Sequence, residues 1–449
     1  MNKARDHFGS QFGVLVAVAG SAVGLGNFWR FPYMVGTYGG AAFIIVYLLF
    51  VFLLLPIMFS EFVIGRRSQS NAYGAFKVLA PGTPWKGIGI LSVAASISIL
   101  AFYCVVGGWT IEYMFQALTG KISSQAANFD QSFEQFTTSA FRPILWHLLF
   151  LGSSAAIVVA GIKNGIEKYS KVLMPVLLSM IIFLAIRTLF LPGASAGVAF
   201  LFHPDFSKIT GESLLAAMGQ AFFSLSLGMG CVITYASYVK KEDNIIKLGT
   251  ASGMADLGFA LLASLAIMPA VFAFGISPSE GPGLVFITLP RIFAQLPLGS
   301  VFAFIFFGSL YIAAVTSAIS LIEVVTAYAT EELKLSRRTA VWTCFAIVAV
   351  LGSLSSLSQG VLKDVTIFGK GFFDVFDYLS SNILLPLGGL AIVIFTGWVL
   401  KRKVVKDELS SGGRYRVPVF GLIMFVIKFV APIAIAMIFL GSLGILKLF

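Results

Sequence analysis

The sequence predicts an all-α membrane protein of 11 transmembrane helices, built as a five-plus-five inverted repeat with helices one and six unwound. Three observations carry this: the composition, the recurrence of long apolar runs, and two glycine-broken runs five spans apart. Of 449 residues, 58% are hydrophobic and only 11% charged, with 44 Phe and 45 Gly, a balance of polytopic membrane proteins and not of soluble ones. The net charge of +11 does not point to nucleic acid, because the Lys and Arg residues cluster between apolar runs, where they orient spans. Cys104, Cys231 and Cys344 lie inside apolar runs and read as small buried hydrophobes, with no disulfide framework or metal cluster implied. The first apolar segment follows a polar start and lacks a small-residue cleavage site, so it is expected to be a retained span.

Runs of about 20 apolar residues place the spans, in order, near residues 10–36, 40–65, 88–119, 144–160, 165–190, 212–238, 245–275, 298–329, 339–357, 371–400 and 417–446. A single transmembrane domain over 1–449 is expected, with repeat one near 10–190, repeat two near 212–400 and an extra helix near 417–446. If the N-terminus is cytoplasmic, that face collects 21 of the 31 Lys and Arg residues, against 8 outside and 2 (Arg30 and Lys428) within spans. This asymmetry predicts a cytoplasmic N-terminus, a C-terminus on the outside and a multi-pass protein of the cell's inner (plasma) membrane. The longer outer connections, near 120–143, 191–211 and 276–297, are rich enough in Pro, Gly, Phe and Leu to pack as lids.

The first span contains "GSAVGLGNFWRFP" (20–32), and the sixth contains "QAFFSLSLGMGCVITYASY" (220–238). Gly24 and Gly26 are two apart and therefore on different helix faces, so a packing stripe explains them poorly. Gly228 and Gly230 interrupt the sixth span beside Ser224 and Ser226. Unwound backbone at membrane depth is tolerated only where it lines a cavity or binds something. Broken helices at corresponding places of two five-helix halves point to a secondary transporter with a central site.

Together with "GGAAFIIVYL", "SEFVIGR", "SLSLGMGCVITYASYV", "ITLPRIF" and "EELKLSRRTAV", the first-span motif resembles the neurotransmitter:sodium symporter family, in its bacterial amino-acid-transporting branch, over nearly the whole chain. The resemblance implies the LeuT-like fold and sodium-coupled import of a neutral amino acid. It also implies a first sodium site from the Ala22 carbonyl, Asn27, Ser224 and a side chain of span seven, which by ungapped counting is Asp256 where relatives usually present Asn. A carboxylate in a span is costly unless compensated, so Asp256 either faces a cation or lies at a helix end facing water. Ala260 stands where chloride-requiring relatives carry serine, so no chloride requirement is expected, with Asp256 supplying the negative charge. A second sodium site is implied from the Gly20, Val23 and Ala313 carbonyls and the Thr316 and Ser317 hydroxyls. All of these are the hard oxygen donors that such cations take.

The half-helix ending near Gly20 and Ser21 offers carbonyls to an amino group, and the one starting near Leu25 and Gly26 offers amides to a carboxylate. By resemblance Tyr103 bonds that carboxylate, and Ser21, Ala22, Ile99, Phe223, Ser224, Ser226, Met229, Ser317 and Leu321 complete the pocket. The side-chain pocket holds no formal charge, and Met229 can yield to bulk, so hydrophobic and aromatic amino acids are expected. Arg30 is expected to meet Asp377 (or Asp374, one turn away) as an outer gate, above Tyr103 and Phe223, and Arg5 to meet Glu331 as an inner one. Phe8 replaces a tryptophan common in relatives beside that inner latch. Gly165 and Pro175 mark a stretch of span five expected to unwind for sodium release. Three histidines, His7, His147 and His203, are scattered, so no catalytic constellation is apparent, and the spans lack the polar rings of a channel. An amino-acid-binding membrane sensor is the remaining alternative.

Overall fold

In a computed structural model, residues 7–124, 128–276 and 284–445 are described, and within them helices dominate. Nine are long and apolar enough to cross a membrane: Ala41–Ser68, Pro84–Leu118, Arg142–Val159, Ile162–Leu189, Ile245–Ala273, Gly299–Glu331, Arg337–Leu357, Phe372–Val399 and Phe420–Ser442. A further crossing is the pair Gln11–Ala22 and Gly26–Thr37, bent by 53°. Between spans five and seven stand Gly211–Ser224 and Cys231–Ala236, parted by the irregular residues 225–230. These elements fall on the 11 segments expected, within a few residues at each end.

The breaks have local causes. The first helix starts at Ser10, whose hydroxyl caps the Gly13 amide, and ends where Val23 turns extended at φ −74°, ψ 101°. In the sixth segment Ser226, Gly228 and Gly230 all have positive φ (55°, 80° and 80°). A Cβ at Gly228 would also press on the Leu385 carbonyl oxygen at 2.5 Å. Conformation and space both demand glycine there. The backbone groups freed by the breaks find side-chain partners on unbroken spans, as burial in a membrane requires. Glu61 of span two accepts from the Gly228 amide at 2.7 Å. Tyr103 of span three accepts from the Leu25 amide at 3.2 Å, and Ser96 donates to the Met229 carbonyl at 3.1 Å.

Span eight forms the axis of the fold: 89% of its apolar window is buried, against 33% for span five, which must therefore face lipid. It packs along span three, where Tyr113 meets Phe307 at 4.7 Å between ring centres. The connection after span seven contributes an apolar helix, Leu284–Gln295, and that after span three contributes Phe129–Thr137. Their rings lock over span three, with Phe133 stacked on Phe286 at 5.9 Å and set edge-on to Trp109 at 5.3 Å. The two connections thus pack as lids and do not hang free.

At the N-terminal face the fully buried Arg66 of span two donates to Glu408 at 2.8 Å and to the Asp243 carbonyl at 2.6 Å. Lys241 also reaches Glu408, at 3.2 Å. Burial alone would raise the Glu408 carboxyl, but Arg66 and Lys241 hold it below its ordinary value of 4.5. Because the folded value is the depressed one, this stabilisation is present above pH 4.5 and is lost as pH falls through the lower folded value. Glu408→Ala leaves Arg66 buried without its counter-charge, and is expected to cost about 3–5 kcal/mol, read as a fall in the melting temperature of the detergent-solubilised chain at neutral pH.

Candidate functional site

The two breaks face each other at mid-fold and enclose a small cavity of about 30 Å³, room for about one or two waters. Every side chain expected to line a substrate pocket lies on its wall: Ser21, Ala22, Leu25, Gly26, Ile99, Tyr103, Phe223, Ser224, Ser226, Met229, Ser317 and Leu321. Ser320 lines it too, and sequence reasoning missed it. Its hydroxyl accepts from Ser21 at 2.8 Å and donates to the Ser317 carbonyl at 2.7 Å. Its spacing of one helical turn from Ser317 was the available signal.

Asn27, Ser224 and Asp256 are brought together. Asp256 is fully buried in span seven and takes hydrogen bonds from Asn27 Nδ2 at 2.7 Å, Ser224 Oγ at 2.6 Å and Tyr47 Oη at 3.2 Å. It is therefore neither at a helix end nor facing water. Tyr47, on span two, had no signal in the sequence beyond being a hydroxyl in an apolar run. The Asp256 carboxylate and the Ser224 and Tyr47 hydroxyls are hard oxygen groups that suit a monovalent cation. Asn27, however, turns its amide nitrogen to Asp256, and its oxygen, the expected ligand, accepts from the Gly24 amide at 2.9 Å.

Around the other expected ion site, Ser317 Oγ lies 3.3 Å from the Gly20 carbonyl, 3.2 Å from that of Ser21 and 3.3 Å from that of Val23. One hydroxyl proton cannot satisfy three carbonyls, so oxygen lone pairs are in surplus at this point, the condition under which a cation binds. Thr316 is close, its Cβ 3.2 Å from where a Cβ on Gly20 would stand. Its hydroxyl, however, is turned back to the Ile312 and Ala313 carbonyls at 3.1 and 3.0 Å. Ala313 is fully buried in the same turn.

Tyr103 and Phe223 line both this cavity and a larger vestibule of about 560 Å³ on the side away from the N-terminus, and so form the partition between the two. Arg30, Asp374 and Asp377 stand on the vestibule walls. Arg30 and Asp377 do not close into an ion pair: Asp377 accepts instead from Ser381 at 3.0 Å. The aromatic layer is in place while the charged pair above it is apart.

The opposite side is packed shut. Phe8 is buried against Tyr235 and Tyr238, with ring centres 5.9 and 6.3 Å apart, and its amide donates to the Tyr238 carbonyl at 3.2 Å. Glu323 accepts from Tyr238 Oη at 2.7 Å and from Arg337 Nη2 at 2.5 Å, tying spans eight and nine to the end of the sixth segment. Arg5 lies outside the described residues, while Glu331 accepts from the Asn71 amide at 2.8 Å.

Span five is helical through Pro175 and opens with a wide π-helical turn, Ile162–Glu167, that contains Gly165. Glu167 at the end of that turn receives the Gly9 amide at 2.6 Å, the Ser10 hydroxyl at 3.0 Å and Lys171 at 2.5 Å. The start of span one is thereby fastened to the segment expected to unwind. Glu167→Ala is expected to speed amide exchange at Gly9 at least about tenfold, the lower end for loss of a hydrogen bond to a charged group, as hydrogen-exchange mass spectrometry would show.

This is a multi-pass helical membrane protein of the secondary-transporter kind, with a small closed cavity between two broken helices. The family model "Sodium:neurotransmitter symporter family" matches residues 5–141 and 131–447, and the chain belongs to that family. The chain is 39% identical over 440 residues to a sodium-dependent transporter, YhdH, of Bacillus subtilis, covering 98% of both chains. To a sodium-dependent transporter of Haemophilus influenzae it is also 39% identical, over 98% of this chain and 99% of the other. Among solved structures, MhsT in complex with L-phenylalanine matches with a TM-score of 0.90 and 45% identity, over 98% of this chain and 100% of that one. The protein is thus a sodium-coupled transporter and not an enzyme.

Proposed function

We propose that the chain imports neutral, bulky hydrophobic or aromatic L-amino acids by sodium-coupled alternating access. The observation that carries this reading is the wall of the central cavity. Opposed half-helix ends suit a zwitterion, and the surfaces left for the side chain are Ile99, Phe223, Met229 and Leu321, without formal charge. The L-phenylalanine bound to MhsT supports it. Two sodium ions take part. One is held by the Ala22 carbonyl, Asn27, Ser224 and Asp256, the other by the Gly20, Val23 and Ala313 carbonyls with Thr316 and Ser317. No chloride is needed, since Asp256 supplies the negative charge. The N-terminus is cytoplasmic, so the vestibule opens outward.

In the working cycle, sodium draws spans one, six and eight together, and the amino acid enters past Tyr103 and Phe223. Arg30 and Asp377 then close above it. Release inward requires Phe8 and the Arg5–Glu331 latch to part and the stretch from Gly165 to Pro175 to unwind. Each ligand drives this only by its differential affinity for the two states.

The test is uptake of labelled L-leucine into proteoliposomes with and without an inward sodium gradient. Sodium-driven accumulation, competed by excess L-tryptophan and L-tyrosine, is expected. Binding without accumulation would mark a sensor, and failure of the aromatic amino acids to compete would exclude the broad pocket.

A further inference from the structure

A second, unrelated cavity lies at the N-terminal face where span seven begins and span eleven is about to begin. It measures about 380 Å³ and is lined by Asn244, Ile246, Lys247, Thr250, Ala251, Tyr415 and Arg416. Its charge is one-sided. The neighbouring cations Arg66, Arg67 and Lys241 are neutralised by Asp407 and Glu408, whereas Lys247 and Arg416 form no ion pair among the described residues. The acids next in sequence do not line the cavity: Asp243 turns its carboxylate to Gln11 at 2.7 Å, and Glu242 contributes only its backbone carbonyl, which accepts from Tyr415 Oη at 3.3 Å. The start of the span-seven helix is already capped, Asn244 accepting from the Lys247 amide at 3.0 Å, so the unsatisfied attraction for an anion comes from the two side-chain cations.

The apolar surroundings say what kind of anion fits. On the helix face that carries Lys247 and Ala251, the next turn presents Met254, 44% exposed, and Leu422 at the start of span eleven is 62% exposed. A pair of cations at the ends of two spans, with exposed apolar side chains two turns along span seven and in the first turn of span eleven, matches a molecule with an anionic head and a hydrocarbon tail. We propose that this cavity binds the phosphate headgroup of an anionic membrane phospholipid, held by Lys247 and Arg416, with its acyl chains along Met254 and Leu422. The site is separate from the transport cavity and does not depend on the transported substrate.

The purified full-length chain, in mixed micelles containing equal phosphatidylglycerol and phosphatidylcholine, would be examined by native mass spectrometry. Retained phosphatidylglycerol in excess of phosphatidylcholine is expected. Lys247→Gln/Arg416→Gln should weaken its retention about 30-fold, each single variant about fivefold. Lys401→Gln/Lys403→Gln removes the same charge from the same face, and should cost no more than about fivefold. A sodium-dependent melting shift common to all variants would show that they are folded. An equal loss in the Lys401/Lys403 control, reporting only diffuse surface charge, would overturn the proposal. So would the absence of any headgroup preference in the wild type, or full displacement of the lipid by inorganic phosphate, which would make the cavity a soluble-anion site.

Discussion

Asp256→Ala is expected to abolish sodium-driven uptake, with apparent sodium affinity falling at least about 30-fold, the lower end for removing one partner of a buried charge pair. The reasoning is electrostatic. Asp256 is fully buried, and its carboxylate gathers Asn27, Ser224 and Tyr47. A cation brought there from water loses its hydration, which neutral oxygens repay only in part and an adjacent negative charge repays more fully. Truncation to alanine removes that charge and also strands three hydrogen-bonding groups. Asp256→Asn separates the two effects, since it keeps the shape and part of the bonding but not the charge. It is expected to retain the fold, judged by melting temperature, while losing most of its sodium affinity. Wild-type transport in chloride-free buffer should equal that in chloride. Unchanged sodium dependence in Asp256→Ala, or a strict chloride requirement in the wild type, would remove Asp256 from the role proposed for it.

How much of this was legible in the sequence depends on the range of the physics. Gly24, Gly26, Gly228 and Gly230 betrayed the breaks because glycine pairs in an apolar run act locally, through backbone freedom. The span ends were legible for a similar reason, hydropathy being additive over one segment. The wall of the central cavity became legible only through the resemblance, since nothing local marks Ile99 or Leu321 as facing it. What stayed hidden lay in cross-span partnerships. Tyr47 approaches Asp256 across 209 positions, and Glu61 caps the Gly228 amide across 167. Glu61 did carry a signal, a carboxylate in an apolar span, which demands a partner even when the partner is unnamed. The Arg30–Asp377 separation could not be read at all, because a gate's state belongs to a conformation and not to a residue pattern. Thr316 and Ser317 look equivalent in sequence, yet a rotamer turns one hydroxyl to its own helix and the other to span one.

Gly24 and Gly26 also look equivalent in sequence, and the structure predicts that they are not. A Cβ at Gly24 would stand 2.7 Å from Ser317 Oγ and 2.8 Å from Tyr103 Oη, two polar groups fixed on the long unbroken spans eight and three. A Cβ at Gly26 would meet nothing nearer than Gln220 Nε2 at 3.5 Å and Phe223 Cδ1 at 3.8 Å, ordinary contact distances. Gly24→Ala must therefore displace the Ser317 and Tyr103 hydroxyls at the point where sodium and substrate would draw spans one, three and eight together. Overpacking of this kind costs about 1–3 kcal/mol. Charged to the closed state, it lowers sodium and amino-acid affinity about 5- to 150-fold. Gly26→Ala should keep the sodium-induced rise in melting temperature, even if its methyl group hinders the substrate carboxylate. Gly24→Ala should lose most of that rise while remaining folded without sodium, because the Ser317 and Tyr103 hydroxyls it crowds are side-chain ends that can turn aside when no ion has to be held between the spans. Measuring the melting temperature of both variants across a sodium titration decides the matter. Equal sodium responses would mean that the close approach of Gly24 to Ser317 and Tyr103 has no part in ion binding.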